Sequence, residues 1–590
     1  MVGRAEGEVL QMILMKHAIL LAVLIVATTV SFSQNPLYIP PALTGTTFNL
    51  NIQDGTTQFY SGINTPTYGI NHNILAPTLI VNKGDSVTMN VTNNLAGTGN
   101  STTIHWHGLH VPAKYDGGPH QIIYQGSTWS PHFKIMNNAG SFWYHPHGEN
   151  KTDRHVSKGI AGMIIVKDST EATLTLPRTY GVDDFPLIVQ TKSFDILNQI
   201  AISTEFDTAI CVNATIHPYL DAPAQVIRLR MLNGSSMRTF NFGFTANQLF
   251  KMIASDGGLL DSAITLTRLK LAPGERAEIL LDLQGMQGQT IFLNSFASEM
   301  PNGIYGAATV TGMMGGTIPD YNLNPLNGLD FGILQLNIVA PTASPITTIP
   351  SALVTNIPYT GYTVSRNFIL APDTMMDPLA QVFGPFNING VHFDMMTINE
   401  NVILNTTEKW RVTNNTGIAH PFHIHDMQFD ILNINGGVVP NYEQGKKDVV
   451  VIMPNEYVEF VTKFEDFADD SIPYMYHCHL LHHEDDGMMG SFRVIDTTGI
   501  GINEINNENE FAIYPNPTTG TFRISSRSNG IGFRIETIYI TNVLGELVYQ
   551  STIKNQQSTI IIDISGQSKG IYFIQITTNN KFYNQKIIKH

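Results

Sequence analysis

Tyr476-His477-Cys478-His479-Leu480-Leu481-His482-His483-Glu484-Asp485-Asp486-Gly487-Met488-Met489 sets one of the chain's two cysteines between two histidines, with a further histidine and a methionine close behind. One thiolate, imidazoles and a weak thioether are the donors that a blue electron-transfer copper asks for. If the segment is a strand, side-chain alternation sends Cys478 to one face and His477 and His479 to the other. One tripeptide would then join two metal centres.

That reading requires partners, and the remaining histidines are placed to supply them. His105-Trp106-His107-Gly108 and His145-Pro146-His147 lie in the first third, and His420-Pro421-Phe422-His423-Ile424-His425 lies upstream of Cys478. Ten of the twenty histidines fall in these four motifs. In a regular strand the two rings of each His-x-His share a face, whereas His420, an odd number of residues from His423 and His425, points to the side of Cys478. The count is one Cys-His-His-Met site, completed by His483 and Met488, and one cluster of eight histidines. A lone His-x-His reads more simply as two surface histidines on a strand. Four motifs of consistent parity do not.

The four motifs, in this order, resemble the multicopper oxidases, laccase-like enzymes that oxidise donors one electron at a time and reduce dioxygen to water. The resemblance spans roughly residues 36 to 498 and is closest to the bacterial three-domain branch that includes periplasmic cuprous oxidase. Thr103-Ile-His-Trp-His-Gly-Leu109, Asp116-Gly-Gly-Pro119 and His420-Pro-Phe-His-Ile-His425 carry it. It implies four copper ions. The type 1 ion would be held by His420, Cys478, His483 and Met488, and the type 2 ion by His105 and His423. The type 3 pair would take His107, His145, His147, His425, His477 and His479.

Composition agrees and adds the compartment. The chain has 590 residues, enough for several domains, and only 14% are charged. Apolar runs are short and alternating, as in Val87-Thr-Met-Asn-Val-Thr92, which favours β-sandwiches over helices. The expected fold is all-β, with three cupredoxin-like Greek-key sandwiches and a small C-terminal β-sandwich sorting domain. A net charge of -15 with no basic run argues against nucleic acid as a partner. With Cys478 committed to copper, Cys211 has no intramolecular partner, so a disulfide framework is excluded. Cys211 sits in the apolar run Ala209-Ile-Cys-Val-Asn-Ala-Thr215 and reads as a buried small hydrophobe.

Met15-Lys16-His17, an apolar run over 18–30 and Ser31-Phe-Ser-Gln34 have the layout of a cleavable signal peptide, here residues 1–34. The polar start before it suggests translation from Met12 or Met15. The apolar run is too short for a comfortable membrane span, and no later segment is long enough. The first sandwich is expected over 35–167, a second without ligand motifs over 168–345, and a third over 346–498. The second contains Ile227-Arg-Leu-Arg-Met-Leu-Asn233 and Leu271-Ala-Pro-Gly-Glu-Arg-Ala277 and should hold the outer two in register. The eight-histidine cluster draws half its rings from the first sandwich and half from the third, so it must lie between them. Copper loading would then couple to domain docking.

A polar linker, 499–510, precedes a β-rich tail over 511–590. Phe511-Ala-Ile-Tyr-Pro-Asn-Pro-Thr-Thr-Gly520, Asn542-Val-Leu-Gly545, Gly570-Ile-Tyr-Phe-Ile574 and Lys586-Ile-Ile-Lys589 resemble the C-terminal sorting domain of type IX secretion. That resemblance implies secretion machinery as a partner and the cell surface or the medium as the destination. Without it, the tail reads as a carbohydrate- or surface-binding sandwich.

The wiring implies a mechanism in which an electron accepted at the Cys478 site crosses the backbone to His477 or His479 and reaches the cluster where dioxygen is reduced. Forming water consumes protons, which requires acids nearby. Asp116 and Glu484 match acidic positions that the family uses for this, although Asp116 in its Gly-rich loop would otherwise read as a turn former. Cuprous oxidases of this branch carry a Met-rich insertion, and an Asp and a Met before the His-Pro-Phe-His motif. Here Thr416 and Ile418 stand at those places, and Ala371-Pro-Asp-Thr-Met-Met-Asp-Pro378 has only Met375 and Met376. A laccase-type site for phenols and aromatic amines is therefore expected. An extracellular cuprous or ferrous oxidase for metal detoxification is the alternative, and a non-enzymatic copper-binding protein is the alternative of another class.

Overall fold

The computed structural model describes residues 34–97, 99–202, 206–497, 511–526, 535–553, 559–578 and 581–590. The expected signal peptide, except its last residue, and the expected linker lie outside them. Strand outweighs helix by 48% to 6%, as the alternating sequence requires. The chain forms two compact units, one ending at Ile495 and one beginning at Asp496.

The first unit is built from three pairs of sheets. Ser86–Asn93 shows how the sequence makes them: its residues alternate between buried and part-exposed, so that Val87, Met89 and Val91 enter a core shared with Leu50, Ile52, Leu79 and Val81. This sandwich pairs a five-stranded sheet with a four-stranded one that ends on Gly140–Tyr144. The second sandwich is centred on Val226–Asn233, which is buried on both faces. Its apolar face enters the core through Leu229 and Met231. On the other face, Arg228 pairs with Glu171 and Glu278, and Arg230 with Asp184 and Glu278. Buried charges persist only when paired in this way.

The third sandwich packs the sheet containing Thr406–Asn414 against one in which His420–Ile424 lies directly beside Tyr474–Cys478. The two strands are antiparallel, with Phe422 opposite Cys478 and His423 opposite His477. Trp410, Phe422, Phe460 and Phe492 fill the core.

The chain crosses the borders that composition suggests. Asn35–Pro36 pairs with Pro218–Pro223 in the second sandwich. Leu353 packs into the second core and donates its amide to Asp261, whereas Val310, Ile318 and Tyr321 pack into the third. Loops can lie along a neighbouring sandwich, and sequence punctuation shows only where strands stop. The second unit packs a three-stranded and a four-stranded sheet around Ile513, Ile538, Ile562, Ile574 and Ile587. Among the described residues, no helix is long and apolar enough to cross a membrane.

Candidate metal centre

Cys478 ends its strand with a fully buried thiol. Its Sγ lies 3.3 Å from His420 Nδ1 and 3.8 Å from Nδ1 of His483, which stands on the short helix Leu481–Asp485. Met488 is fully buried in the same core, and Phe386 packs its ring 4.9 Å from His420 and 4.6 Å from His483. The outer nitrogen of His420 meets Thr416 Oγ1 at 2.8 Å, while the Thr416 hydroxyl can donate to Asn414 Oδ1 or the Ile418 carbonyl. His420 therefore donates from Nε2, and its Nδ1 lone pair faces the sulfur. Burial lowers His420 to about 3, lowers His483 well below its usual value and pushes the Cys478 thiol up. A metal ion would replace the thiol proton.

The eight remaining motif histidines converge in one buried cluster. Nε2 of His147 lies 3.0 Å from Nε2 of His425 and 3.2 Å from Nε2 of His477, and the last two are 3.2 Å apart. Nδ1 of His107 lies 3.4 Å from Nε2 of His145 and 3.3 Å from Nε2 of His479. Nε2 of His105 and Nε2 of His423 are buried with no hydrogen-bond partner.

These contacts are not a hydrogen-bond network. Nδ1 of His425 is held by Asp116 Oδ2 at 2.7 Å, that of His477 by the Cys478 carbonyl at 3.0 Å, and that of His145 by the Pro146 carbonyl at 2.8 Å. His105 and His423 likewise donate from Nδ1 to the carbonyls of Asp116 and Asp448. A neutral imidazole has one N–H, so the nitrogens that face one another are bare lone pairs. Burial first, and then the neighbouring imidazoles, hold His107, His145, His147, His423, His425 and His479 well below the ordinary histidine range. Imidazoles bind a first-row divalent ion at about 2.0 Å, which sets three nitrogens roughly 3.3–3.5 Å apart. The observed spacings fit, and the donors suit copper.

Strand parity holds for His420 and His423 but not everywhere. His105 and His145 form a single bridge to one another, His107 lies in the turn before Gly108, and His147 follows the end of Gly140–Tyr144. Rings that approach from four segments must be aimed by turns and strand ends, so the regular alternation expected there is replaced by local loop geometry.

Both expected acids reach the cluster. Asp116 accepts from His425 through Oδ2 and leaves Oδ1 without a partner. Glu484 Oε1 lies 3.3 Å from His147 Nδ1, and its Oε2 has no hydrogen bond. Burial, reinforced by Asp485, pushes Glu484 well above the carboxylate range. A cavity of about 310 Å³, lined by His147, Glu149, His392, Glu484 and Asp485, borders this carboxyl.

The sequence reading missed Asp448 and Arg276. Asp448 Oδ1 lies 3.1 Å from His107 Nε2, and its carboxylate is bound by the Arg276 guanidinium. In Lys446-Lys447-Asp448 the acid looks like part of a solvated charge run, and the only signal for Arg276 was its turn, Pro273-Gly274-Glu275-Arg276.

The fold and the site define a metalloprotein whose donor sets are gathered between β-sandwiches and joined by one tripeptide. Multicopper oxidase family models match residues 51–171 and 367–498, and a secretion system C-terminal sorting domain model matches 512–590. Multicopper oxidase mco of Staphylococcus haemolyticus is 34% identical over 456 residues, covering 76% of this chain and 88% of its own length. Cell division protein FtsP of Sodalis glossinidius is 31% identical, covering 78% and 92%. Among solved structures, the laccase-like multi-copper oxidase CueO of Ochrobactrum sp. is 30% identical with a TM-score of 0.67, covering 78% of this chain and 100% of that one. The Pediococcus acidilactici laccase is 29% identical with a TM-score of 0.66, covering 79% and 94%.

The chain belongs to the multicopper oxidase family. It is a copper-dependent oxidase enzyme with cupredoxin-like sandwiches. Its tail is a sorting domain for export by type IX secretion to the cell surface or the extracellular space.

Proposed function

We propose that the chain holds four copper ions, a type 1 ion at His420, Cys478, His483 and Met488, a type 2 ion at His105 and His423, and a type 3 pair at the other six histidines. It would use them to oxidise phenols or aromatic amines and reduce dioxygen to water. The observation that carries this reading is the set of eight buried imidazoles with facing lone pairs, tied covalently to a buried thiol through His477-Cys478-His479. Copper bound there supplies one-electron redox chemistry that takes electrons from a donor and delivers four of them to dioxygen.

The chain's own residues do the rest. The backbone of Cys478 gives an unbroken path of bonds between the two donor sets. Asp116 and Glu484 each stand beside a ligand ring with one carboxyl oxygen and keep the other unpartnered, placed to hold and pass protons. Glu484, with its raised affinity for a proton, is the donor at neutral pH, and the bordering cavity gives it a supply from water. The signal peptide would act first in export and the sorting domain second.

The donor class rests on the surroundings of His420 and His483. Where cuprous oxidases carry a carboxylate and a thioether, Thr416 and Ile418 are neutral, buried and engaged in packing. The solved structure from Ochrobactrum sp. is titled as active towards lignin model compounds and lignosulfonate, in keeping with an organic donor.

One observation favours metal ions instead. Met313, Met314, Met375 and Met376 are exposed, on two segments joined by Gln381, which accepts from the Met314 amide at 3.4 Å and donates to the Met375 carbonyl at 2.9 Å. The Campylobacter jejuni enzyme, 25% identical with a TM-score of 0.64, is titled a metallo-oxidase. Oxygen uptake by copper-loaded protein decides between the two, with dimethoxyphenol and cuprous ion at matched concentrations and autoxidation subtracted. Faster turnover of the phenol without added copper is expected. Dominant cuprous turnover would assign the metal-ion role.

A further inference from the structure

The turn Pro273-Gly274-Glu275-Arg276 belongs to the second sandwich, which supplies none of the proposed ligands, yet it presses on two of them. Gly274 has φ +87, and a Cβ there would lie 2.8 Å from the His479 ring. Arg276 grips Asp448 with two parallel bonds of 2.5 and 2.6 Å. Its remaining N–H groups go to the carbonyls of Gly274, Asp256 and Ser141. Asp448 in turn holds two rings: its Oδ1 lies 3.1 Å from His107 Nε2, and its carbonyl accepts from His423 Nδ1 at 2.8 Å. Gly108 makes room for the pair, because a Cβ there would lie 2.4 Å from Asp448 Oδ2 and 2.6 Å from Arg276 Nη2. All four side chains, His107, His423, Asp448 and Arg276, are buried.

His107 is the odd member of the cluster. It faces its neighbours with Nδ1, whereas the rings opposite it face inward with Nε2. The neutral ring has one proton, and an acceptor at Nε2 keeps that proton there and leaves the Nδ1 lone pair free. An ionised carboxylate is such an acceptor, and the Arg276 fork both compensates its buried charge and fixes its plane.

We propose that Asp448 and Arg276 are positioning residues that select the Nδ1-ligating tautomer of His107, so that the second sandwich sets the geometry of a copper cluster to which it gives no ligand. This rests on the copper reading above. The surrounding shell of a metal site commonly governs affinity 10- to 100-fold.

The test uses full-length, copper-loaded parent, Asp448→Asn and Arg276→Lys proteins. Copper content is followed in competition with a chelator, alongside the blue thiolate absorbance and electron paramagnetic resonance. In Asp448→Asn the amide oxygen turns to Arg276 and the amide N–H faces His107, favouring the wrong tautomer. The expected result is a retained blue absorbance, cluster copper lost to chelator at about 10- to 100-fold lower concentration, and an altered type 2 signal. Parent-like copper retention and spectra in folded Asp448→Asn would overturn the proposal. So would a lowered melting temperature with unchanged copper affinity. Should Asp448→Asn fail to give blue protein, Arg276→Lys, which keeps the charge but not the fork, is read by the same criteria and decides. A parent that binds only type 1 copper would instead defeat the copper-cluster reading itself.

Discussion

Cys478 carries a thiol that burial raises well above its usual range, so the metal-free protein holds a neutral sulfur beside two neutral imidazoles. Metal binding must release that proton, and the metal then faces a strong thiolate with one weak axial partner, Met488. Met488→Leu removes the weak donor and should raise the type 1 potential, measured by redox titration of the blue absorbance. An unchanged or lower value would remove Met488 from the axial place. Asp116 holds His425 with one oxygen and keeps the other free. Asp116→Asn keeps an acceptor for the ring but cannot exchange the proton. Turnover with dioxygen should then fall by about a hundredfold or more with the blue centre intact. Normal turnover would refute its role. At this scale the donors were legible in the sequence because His and Cys spacing is unusual in itself. Asp448 was not, because one acid after two lysines carries no such mark.

At the scale of elements, the two strands His420–Ile424 and Tyr474–Cys478 show why parity worked where it did. Their antiparallel register sets His423 beside His477 on one face, while His420 and Cys478 meet on the other. The His105, His107, His145 and His147 segments are turns and strand ends, and alternation could group these rings but not aim them. The turn at Gly274 was visible as Pro-Gly, yet nothing local said that a ligand ring would lie against it. Gly274→Ala should be poorly tolerated, since the left-handed backbone costs about 1–2 kcal/mol for an L-residue and the methyl group meets His479. The expected outcome is a lower melting temperature and weakened cluster copper with the Cys478 site preserved. A parent-like melting temperature and copper content would contradict the contact.

At the scale of the whole molecule, the first and third sandwiches are clamped together around the cluster. His110 lies between Asp426 at 2.8 Å and Asp466 at 3.0 Å, and Phe467 packs on its ring. Burial alone would lower this histidine, but the two carboxylates hold it up at about 9. Because its folded value lies above the unfolded value of about 6.5, the clamp is fully present below that pH and is lost as pH rises through about 9. Its contribution is up to about 3 kcal/mol, offset in part by burial of Asp426, which is itself pushed up to about 6. From neutral pH to about pH 10 the melting temperature of His110→Gln should therefore fall less than that of the parent. Equal slopes would remove the clamp.

The compact unit ending at Ile495 contains every residue of the site. Removing residues 511–590 should abolish export across the outer membrane while leaving the purified oxidase active. Export that survives the deletion would exclude the sorting role. The domain count was legible from punctuation and motif order. The strand and loop exchanges between sandwiches were not, because they depend on packing between segments far apart in the chain.

The most direct test of the account is the stoichiometry of turnover in copper-loaded protein, with oxygen uptake, donor oxidation and peroxide followed together. The account predicts four one-electron oxidations per dioxygen consumed and no free peroxide, since the eight imidazoles and the thiol act as one connected site. Two oxidations per dioxygen with peroxide released, or no uptake with either an organic or a cuprous donor, would contradict it.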